Sequence, residues 1–119
     1  MRLLLVDDNT LNLELFSDVL EQDGHELVAE SDPVRGQTRA LAEPFDLIIL
    51  DIQMPGLDGY AVCRSLRRTG VRGPIIALSS NAMPEQIAEG RDAGFDAYLT
   101  KPIAPAELRA AVRRFGRAA

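Results

Sequence analysis

The sequence predicts an α/β domain built on a five-stranded parallel sheet with helices on both faces. Three observations lead there. Five short apolar runs recur along the chain, each bounded by Gly, Pro, Asp or Asn. Stretches with helical spacing fill the gaps between them. Three of the runs lack polar alternation, as parallel strands covered on both faces do. At 119 residues and 46% apolar content the chain has room for one sizeable core.

The elements follow in order. Residues 3–6 (LLLV) form the first strand. Leu15, Phe16, Val19 and Leu20 then make an i, i+1, i+4, i+5 stripe, the inner face of a helix that Gly24 stops. A weaker strand covers 26–29. Asp32-Pro33 supplies the N-cap and first turn of a second helix, running to about Ala42. Residues 47–50 (LIIL) form the third strand. Asp58 precedes a helix over 59–68 whose inner face is Val62, Cys63 and Leu66. The fourth strand is 75–78 (IIAL), and the next helix starts at Asn81 or at Met83-Pro84 and ends at Gly94. A weaker fifth strand covers 97–99. Pro105 opens the last helix, with Leu108, Val112 and Phe115 facing inwards and Arg113 and Arg114 near its negative end. Short right-handed connections make these five βα units one parallel sheet. No repeat or linker interrupts residues 1–119, and the expectation is one domain without an output domain.

Composition narrows the function. A net charge of −5 and a pI near 4.8 argue against a nucleic-acid partner. One cysteine, Cys63, excludes an internal disulfide and fits a reducing compartment. The apolar runs reach only four or five residues, too short to cross a membrane. The first run stops at two aspartates, unlike a signal peptide. A soluble, cytoplasmic domain with no membrane contact is expected. Among 13 basic residues, Lys101 is the single lysine; its compact point charge suits a tight site better than a planar guanidinium.

In such sheets ligands sit at the carboxyl ends of the strands. Asp7 and Asp8 end the first run, Asp51 the third, Ser79 and Ser80 the fourth, and Lys101 lies just past the fifth. Each alone reads as an ordinary cap, loop hydroxyl or solvated charge; the set converges on one rim. Three carboxylates brought together hold protons unless a cation is present. Oxygen donors without His or Cys select a hard ion such as Mg²⁺. A cation, a lysine, a hydroxyl and an aspartate nucleophile suit phosphoryl transfer.

The segments LLLVDDN (3–9), LIILDIQMPGLDG (47–59), IIALSSNAM (75–83) and DAYLTKPI (96–103) together resemble the receiver domain of two-component response regulators, over essentially the whole chain. The resemblance implies the flavodoxin-like strand order 2-1-3-4-5. It implies that Asp51 accepts a phosphoryl group from a histidine kinase or histidine phosphotransfer protein. Asp8 and Asp51 would bind Mg²⁺ directly, Asp7 partly through water, and the main-chain carbonyl of Gln53 would complete the set. Lys101 would pair with a phosphoryl oxygen. Ser79 would turn towards the phosphoryl group, and Tyr98, at the switch-aromatic position, would rotate into the vacated space. Gln53 and Asn81 would influence phosphoryl lifetime, and Pro102 would follow a cis peptide bond. Pro55 and Gly56 shape the loop after Asp51, and Gly59 lets the third helix begin close by. The stretch DNTLNLELFSDVLE (8–21) is similar to stand-alone receivers of the cell-cycle type and to receiver modules of hybrid kinases; the stand-alone type is expected.

Partner surfaces complete the expectation. Leu11 and Leu13 flank the first helix's stripe at about 100° per residue, where they either extend the core or form the docking rim for the phosphodonor's helices. The fourth helix, fifth strand and fifth helix, with Tyr98 and Arg109, would face a downstream protein effector. His25 sits in a turn with no surrounding helix, which argues against a phosphodonor role. The expected activity is self-phosphorylation and self-dephosphorylation without turnover of an external substrate. A phosphatase of the haloacid-dehalogenase type would need an aspartate where Gln53 stands. The remaining alternative is a phosphorylation-independent interaction module on the same scaffold.

Overall fold

A computed structural model describes residues 1–116; residues 117–119, counted in the domain from the sequence, lie outside the described residues. The elements are β1 (Arg2–Val6), α1 (Thr10–Gln22), β2 (Glu26–Glu30), α2 (Pro33–Ala42), β3 (Leu47–Asp51), β4 (Gln53–Met54), β5 (Leu57–Asp58), α3 (Gly59–Thr69), β6 (Ile75–Ser79), α4 (Pro84–Ala93), β7 (Ala97–Thr100) and α5 (Pro105–Phe115). Five strands pair in parallel in the order β2-β1-β3-β6-β7. Apart from the two-residue strands β4 and β5, which form a small antiparallel hairpin, this is the expected 2-1-3-4-5 order.

The apolar runs divide by alternate residues between two cores. Leu4, Val6, Ile48, Leu50, Ile75 and Ala77 face the side covered by α2, α3 and α4. Leu3, Leu5, Leu47, Ile49, Ile76 and Leu78 face α1 and α5. Both faces are covered, which is why these runs show no alternation of polarity.

Local signals start the helices. Asn9 Oδ1 accepts from the Leu11 and Asn12 amides at 3.0 and 3.2 Å. Asp32 and Asp58 cap α2 and α3 through the Val34 and Tyr60 amides, each at 2.9 Å. Of the two starts open for the fourth helix, Met83-Pro84 is the one adopted. α3 begins so close to β3 that a Cβ on Gly59 would lie 2.6 Å from Ile52 Cβ; only glycine fits there.

α1 corrects the expected inner face. Leu13, Phe16 and Leu20 are buried, whereas Leu15, expected inside, is 55% exposed. The helix carries six bulky apolar residues over 11–20, more than one face accommodates. Phe16 and Leu20 anchor either choice, and completing the stripe with Leu13 turns the buried direction by about 60°. Leu13 is therefore core, at 8% exposure, and Leu11 is the residue left outside, at 63%. Arg109 is a second correction. Its guanidinium turns towards the end of α1, with Nε 3.2 Å from Asp23 Oδ2, rather than onto a face shared with α4 and β7.

Arg67, which no spacing marks, ties the far edge together. It donates to the carbonyls of Gly94, Val71 and Gly73 at 2.7–3.0 Å and pairs with Asp96 at 2.9 Å. The same Asp96 oxygen accepts from the Ile75 amide at 2.8 Å, so the starts of β6 and β7 are held in step.

Cys63 is fully buried, and burial pushes its thiol up to about 11. At pH 8 iodoacetamide should therefore modify the folded chain about a hundredfold more slowly than a free thiol. Full labelling should return in urea, measured by intact mass. Rapid labelling of the folded chain would contradict this packing.

Candidate functional site

Strand register builds the site. Val6 pairs with Leu50 across β1 and β3, so Asp7 and Asp51 stand side by side one step further on. Asp51 pairs with Leu78 and Ser79 with Thr100, which sets Ser79 and Lys101 on the same rim. β1 and β3 flank the place where the strand order reverses, where crevices of such sheets form.

Asp7 and Asp51 are buried, at 0% and 2% exposure, and Asp8 is exposed. One carboxylate oxygen from each of the three lies within 4.8 Å of the others. The two buried carboxylates are held alike. Asp7 Oδ1 accepts from the Asn9 amide and Asp51 Oδ1 from the Gln53 amide, both at 2.9 Å. Their second oxygens face Lys101, whose Nζ is 2.9 Å from Asp51 Oδ2 and 3.3 Å from Asp7 Oδ2. The Lys101-Pro102 bond is cis, as the resemblance implied.

The electrostatics follow from crowding. Burial, with the neighbouring Asp51 charge adding to it, raises the Asp7 pKa above the usual carboxylate range against the Asn9 amide. Burial works to lower the Lys101 pKa, but the hydrogen bond and charge of Asp51, with that of Asp7, outweigh it and raise it. Three carboxylates against one ammonium leave two negative charges, the deficit a divalent cation removes. The all-oxygen donor set fits Mg²⁺.

Around this centre two loops meet. Gln53 Oε1 accepts from the Ser80 amide at 2.9 Å and from Ser80 Oγ at 2.5 Å, joining the segment after β3 to the end of β6. Ser79, fully buried, accepts through Oγ from the Asn81 amide at 3.0 Å and donates to the Asn81 carbonyl at 3.3 Å. Tyr98 is half-buried, and its hydroxyl donates to the same carbonyl at 2.8 Å. Next to Lys101 a groove of about 410 Å³ opens between α1 and the β7–α5 connection, lined by Asn12, Leu15, Phe16, Ser80, Pro102 and Ile103. The structure thus brings together Asp7, Asp8, Asp51, Lys101, Gln53, Ser79 and Asn81. It sets Tyr98 one carbonyl away and Leu11 on the exposed side of α1, and it removes Leu13 to the core. The sequence reading missed Leu15 at the groove, Ser80 as the partner of Gln53, and Tyr60, whose hydroxyl lies 3.3 Å from that of Tyr98. Only the helical period could have found Leu15; the other two pairings join residues 27 and 38 positions apart.

Fold and rim together define a doubly wound α/β domain with an acidic cleft at its switch point and one ammonium group beside it. The chain belongs to the response regulator receiver domain family, whose family model matches residues 3–113. It is 37% identical to sensor histidine kinase GacS of Pseudomonas protegens over 119 aligned residues, covering 96% of this chain and 13% of that protein. The receiver domain of sensor histidine kinase PA1611 from Pseudomonas aeruginosa PAO1, solved with a magnesium ion coordinated in its active site cleft, superimposes with a TM-score of 0.86 at 34% identity, covering 96% of this chain and 95% of that one. Vibrio cholerae chemotaxis protein CheY4 gives a TM-score of 0.89 at 28% identity, covering 96% and 97%. Receiver domains are signalling modules that interact with histidine kinases or phosphotransfer proteins. No helix among the described residues is long and apolar enough to cross a membrane.

Removing the ammonium group tests the charge balance. In metal-free buffer at pH 7, Lys101→Met should lower stability by about 2 kcal/mol or more, because it strands two buried carboxylates. A carboxyl whose folded pKa is raised binds more protons folded than unfolded, so its cost is present above that pKa and relieved as pH falls. The deficit should therefore shrink on acidification towards pH 5, read by urea melts of both proteins. A deficit that grows towards low pH would contradict the assigned electrostatics.

Proposed function

We propose that this chain is the phosphoacceptor of a two-component phosphorelay, with Asp51 the residue phosphorylated. The observation that carries the reading is the setting of Asp51. It is buried at the tip of β3, with one oxygen fixed by the Gln53 amide and the other facing the Lys101 ammonium. A carboxylate held in this way is oriented for attack without a further ordering cost.

An Asp51 oxygen attacks the phosphorus of a phosphohistidine in line, a P–O bond forms as the P–N bond breaks, and the imidazole leaves with the electron pair. Lys101 moves its charge from the carboxylates to a phosphoryl oxygen, and the Ser79 hydroxyl exchanges the Asn81 carbonyl for another. Mg²⁺, held by Asp7, Asp8 and Asp51 with the Gln53 main-chain carbonyl, would neutralise charge on the equatorial oxygens when bound. Gln53 and Asn81 flank the phosphoryl position as neutral amides that orient or exclude water but do not act as bases, so they tune lifetime. Residues 1–119 act as one receiver unit in a cytoplasmic, reducing setting that suits the buried thiol. The output is a binding event at the face around Tyr98, where α4 and β7 enclose a groove of about 240 Å³. A downstream protein effector is the partner there.

The first test is intact mass after acetyl phosphate with Mg²⁺. The wild type should gain one phosphoryl group, and Asp51→Asn or addition of EDTA should abolish the gain. An adduct retained in Asp51→Asn would overturn the assignment, and no adduct on the wild type would leave the phosphorylation-independent module.

The phosphodonor's helices dock on Leu11 and Leu15. These are exposed, four residues apart on α1, and Leu15 lines the groove that reaches Lys101. Leu11→Ser with Leu15→Ser should slow transfer from a phosphohistidine donor at least tenfold and leave acetyl phosphate labelling unchanged. Leu13→Ser should instead cost about 2–4 kcal/mol of stability. Equal loss with both donors in the Leu11/Leu15 variant would refute the docking surface.

A further inference from the structure

The surroundings of Tyr98 show what seats the ring of the proposed switch. Three contacts hold the ring. Its hydroxyl donates to the Asn81 carbonyl at 2.8 Å. The Tyr60 hydroxyl stands 3.3 Å away and also meets Gln86, at 3.0 Å from Oε1 and 3.2 Å from its main-chain oxygen. A phenol has one proton to donate. Tyr98 uses its proton on Asn81, so across the tyrosine pair Tyr98 only accepts, and the single Tyr60 proton is shared between Tyr98 and the two Gln86 oxygens. Burial raises the Tyr60 pKa, so that donor persists through the working pH range.

The third contact is a gap filled by a ring. A Cβ on Gly90 would lie 2.9 Å from Tyr98 Cδ2, 3.2 Å from Tyr98 Cε2 and 3.6 Å from Tyr60 Cε1. Glycine within a helix is disfavoured relative to alanine, yet here only a bare α-carbon leaves the ring its seat. The Asn81 carbonyl beneath also accepts from Ser79 Oγ. The ring and the serine hydroxyl therefore share one oxygen, and the position of either is felt by the other.

We propose that Tyr60 and Gly90 are positioning residues that hold Tyr98 inward, so that the ring's seat, built from contacts outside the acidic cleft, does not depend on a phosphoryl group. The inference deepens the proposed function, on which it rests for Tyr98 being the switch aromatic. It revises the expectation that Tyr98 rotates into a space vacated later. With the ring inward, one edge lines the α4–β7 groove beside Ile87 and Arg91, so an effector at that groove meets the inward ring. Phosphorylation then acts through Ser79 and the loop before α4.

The sequence has two tyrosines, which makes ¹⁹F NMR of 3-fluorotyrosine-labelled protein a two-signal experiment. Tyr60→Phe and Tyr98→Phe assign the signals. Without any phosphoryl analogue, the Tyr98 signal should move by more than its linewidth in Tyr60→Phe and in Gly90→Ala. Beryllofluoride with Mg²⁺ should then return it towards the wild-type position, whereas in the wild type the same addition should move it less. Phe keeps the Tyr60 ring packed edge-on to Phe95 and Ala favours the helix, so both variants should fold, as thermal melts check. A Tyr98 signal unmoved in both variants would overturn the inference, as would a large inward shift of the wild-type ring on adding beryllofluoride. Bound beryllofluoride has ¹⁹F signals of its own. Their absence from the wild type would overturn the proposed function, while displacement of Tyr98 in both variants would still uphold its seating by Tyr60 and Gly90.

Discussion

Three carboxylates at the tips of two adjacent strands repel one another, and a single ammonium group stands against them. Much of the molecule's design follows from keeping that arrangement in place. Asp7 and Asp51 have no solvent to dilute their charge, so each needs a fixed donor on one oxygen and a cation on the other. The Asn9 and Gln53 amides supply the first, and Lys101 the second. Lys101 belongs to the connection after β7, two strands away from β3 in the sheet. The pairing therefore holds only while the whole parallel sheet is assembled, and local charge balance and global fold become one condition.

The register of the sheet turns this condition into geometry. Parallel strands start level and end level, so polar residues placed one step past equal apolar runs arrive on one rim. Arg67 and Asp96 serve the same end from the opposite edge, where they hold the starts of β6 and β7. Gly59 contributes by letting α3 begin against Ile52, which keeps the segment between Asp51 and the helix short. None of these residues touches the acidic cleft. Each keeps strand ends from sliding by the ångström or two that would separate Lys101 from its carboxylates.

What the sequence made legible follows the same division. Strand limits, the Asp32 and Asp58 caps and the rim residues are local signals, and unalternating runs announce a doubly covered sheet. The buried face of α1 was not legible, because apolar residues at 11, 13, 15, 16, 19 and 20 permit more than one stripe; packing against the sheet selects Leu13 over Leu15. The hairpin of β4 and β5 is too short to have a period. Arg109 sits on α5 where the helical wheel allows either flank, and Asp23 decides it. Tyr60, Gly90 and Ser80 matter through partners 8 to 38 positions away, and one-dimensional spacing carries no record of such pairs.

Those long-range pairs bear most on how the acidic cleft reaches the rest of the molecule. The Gln53–Ser80 bonds tie the segment after Asp51 to the end of β6. One residue further, the Asn81 carbonyl takes both Ser79 Oγ and the Tyr98 hydroxyl. A carbonyl oxygen has two lone pairs, so both donors are accommodated at once, and withdrawing one strengthens the hold on the other. Loss of the Ser79 bond thus tightens Tyr98 rather than releasing it. The direction of the coupling is set by the arithmetic of donors at one oxygen, while the Tyr60 hydroxyl and the bare α-carbon of Gly90 stand against the same ring.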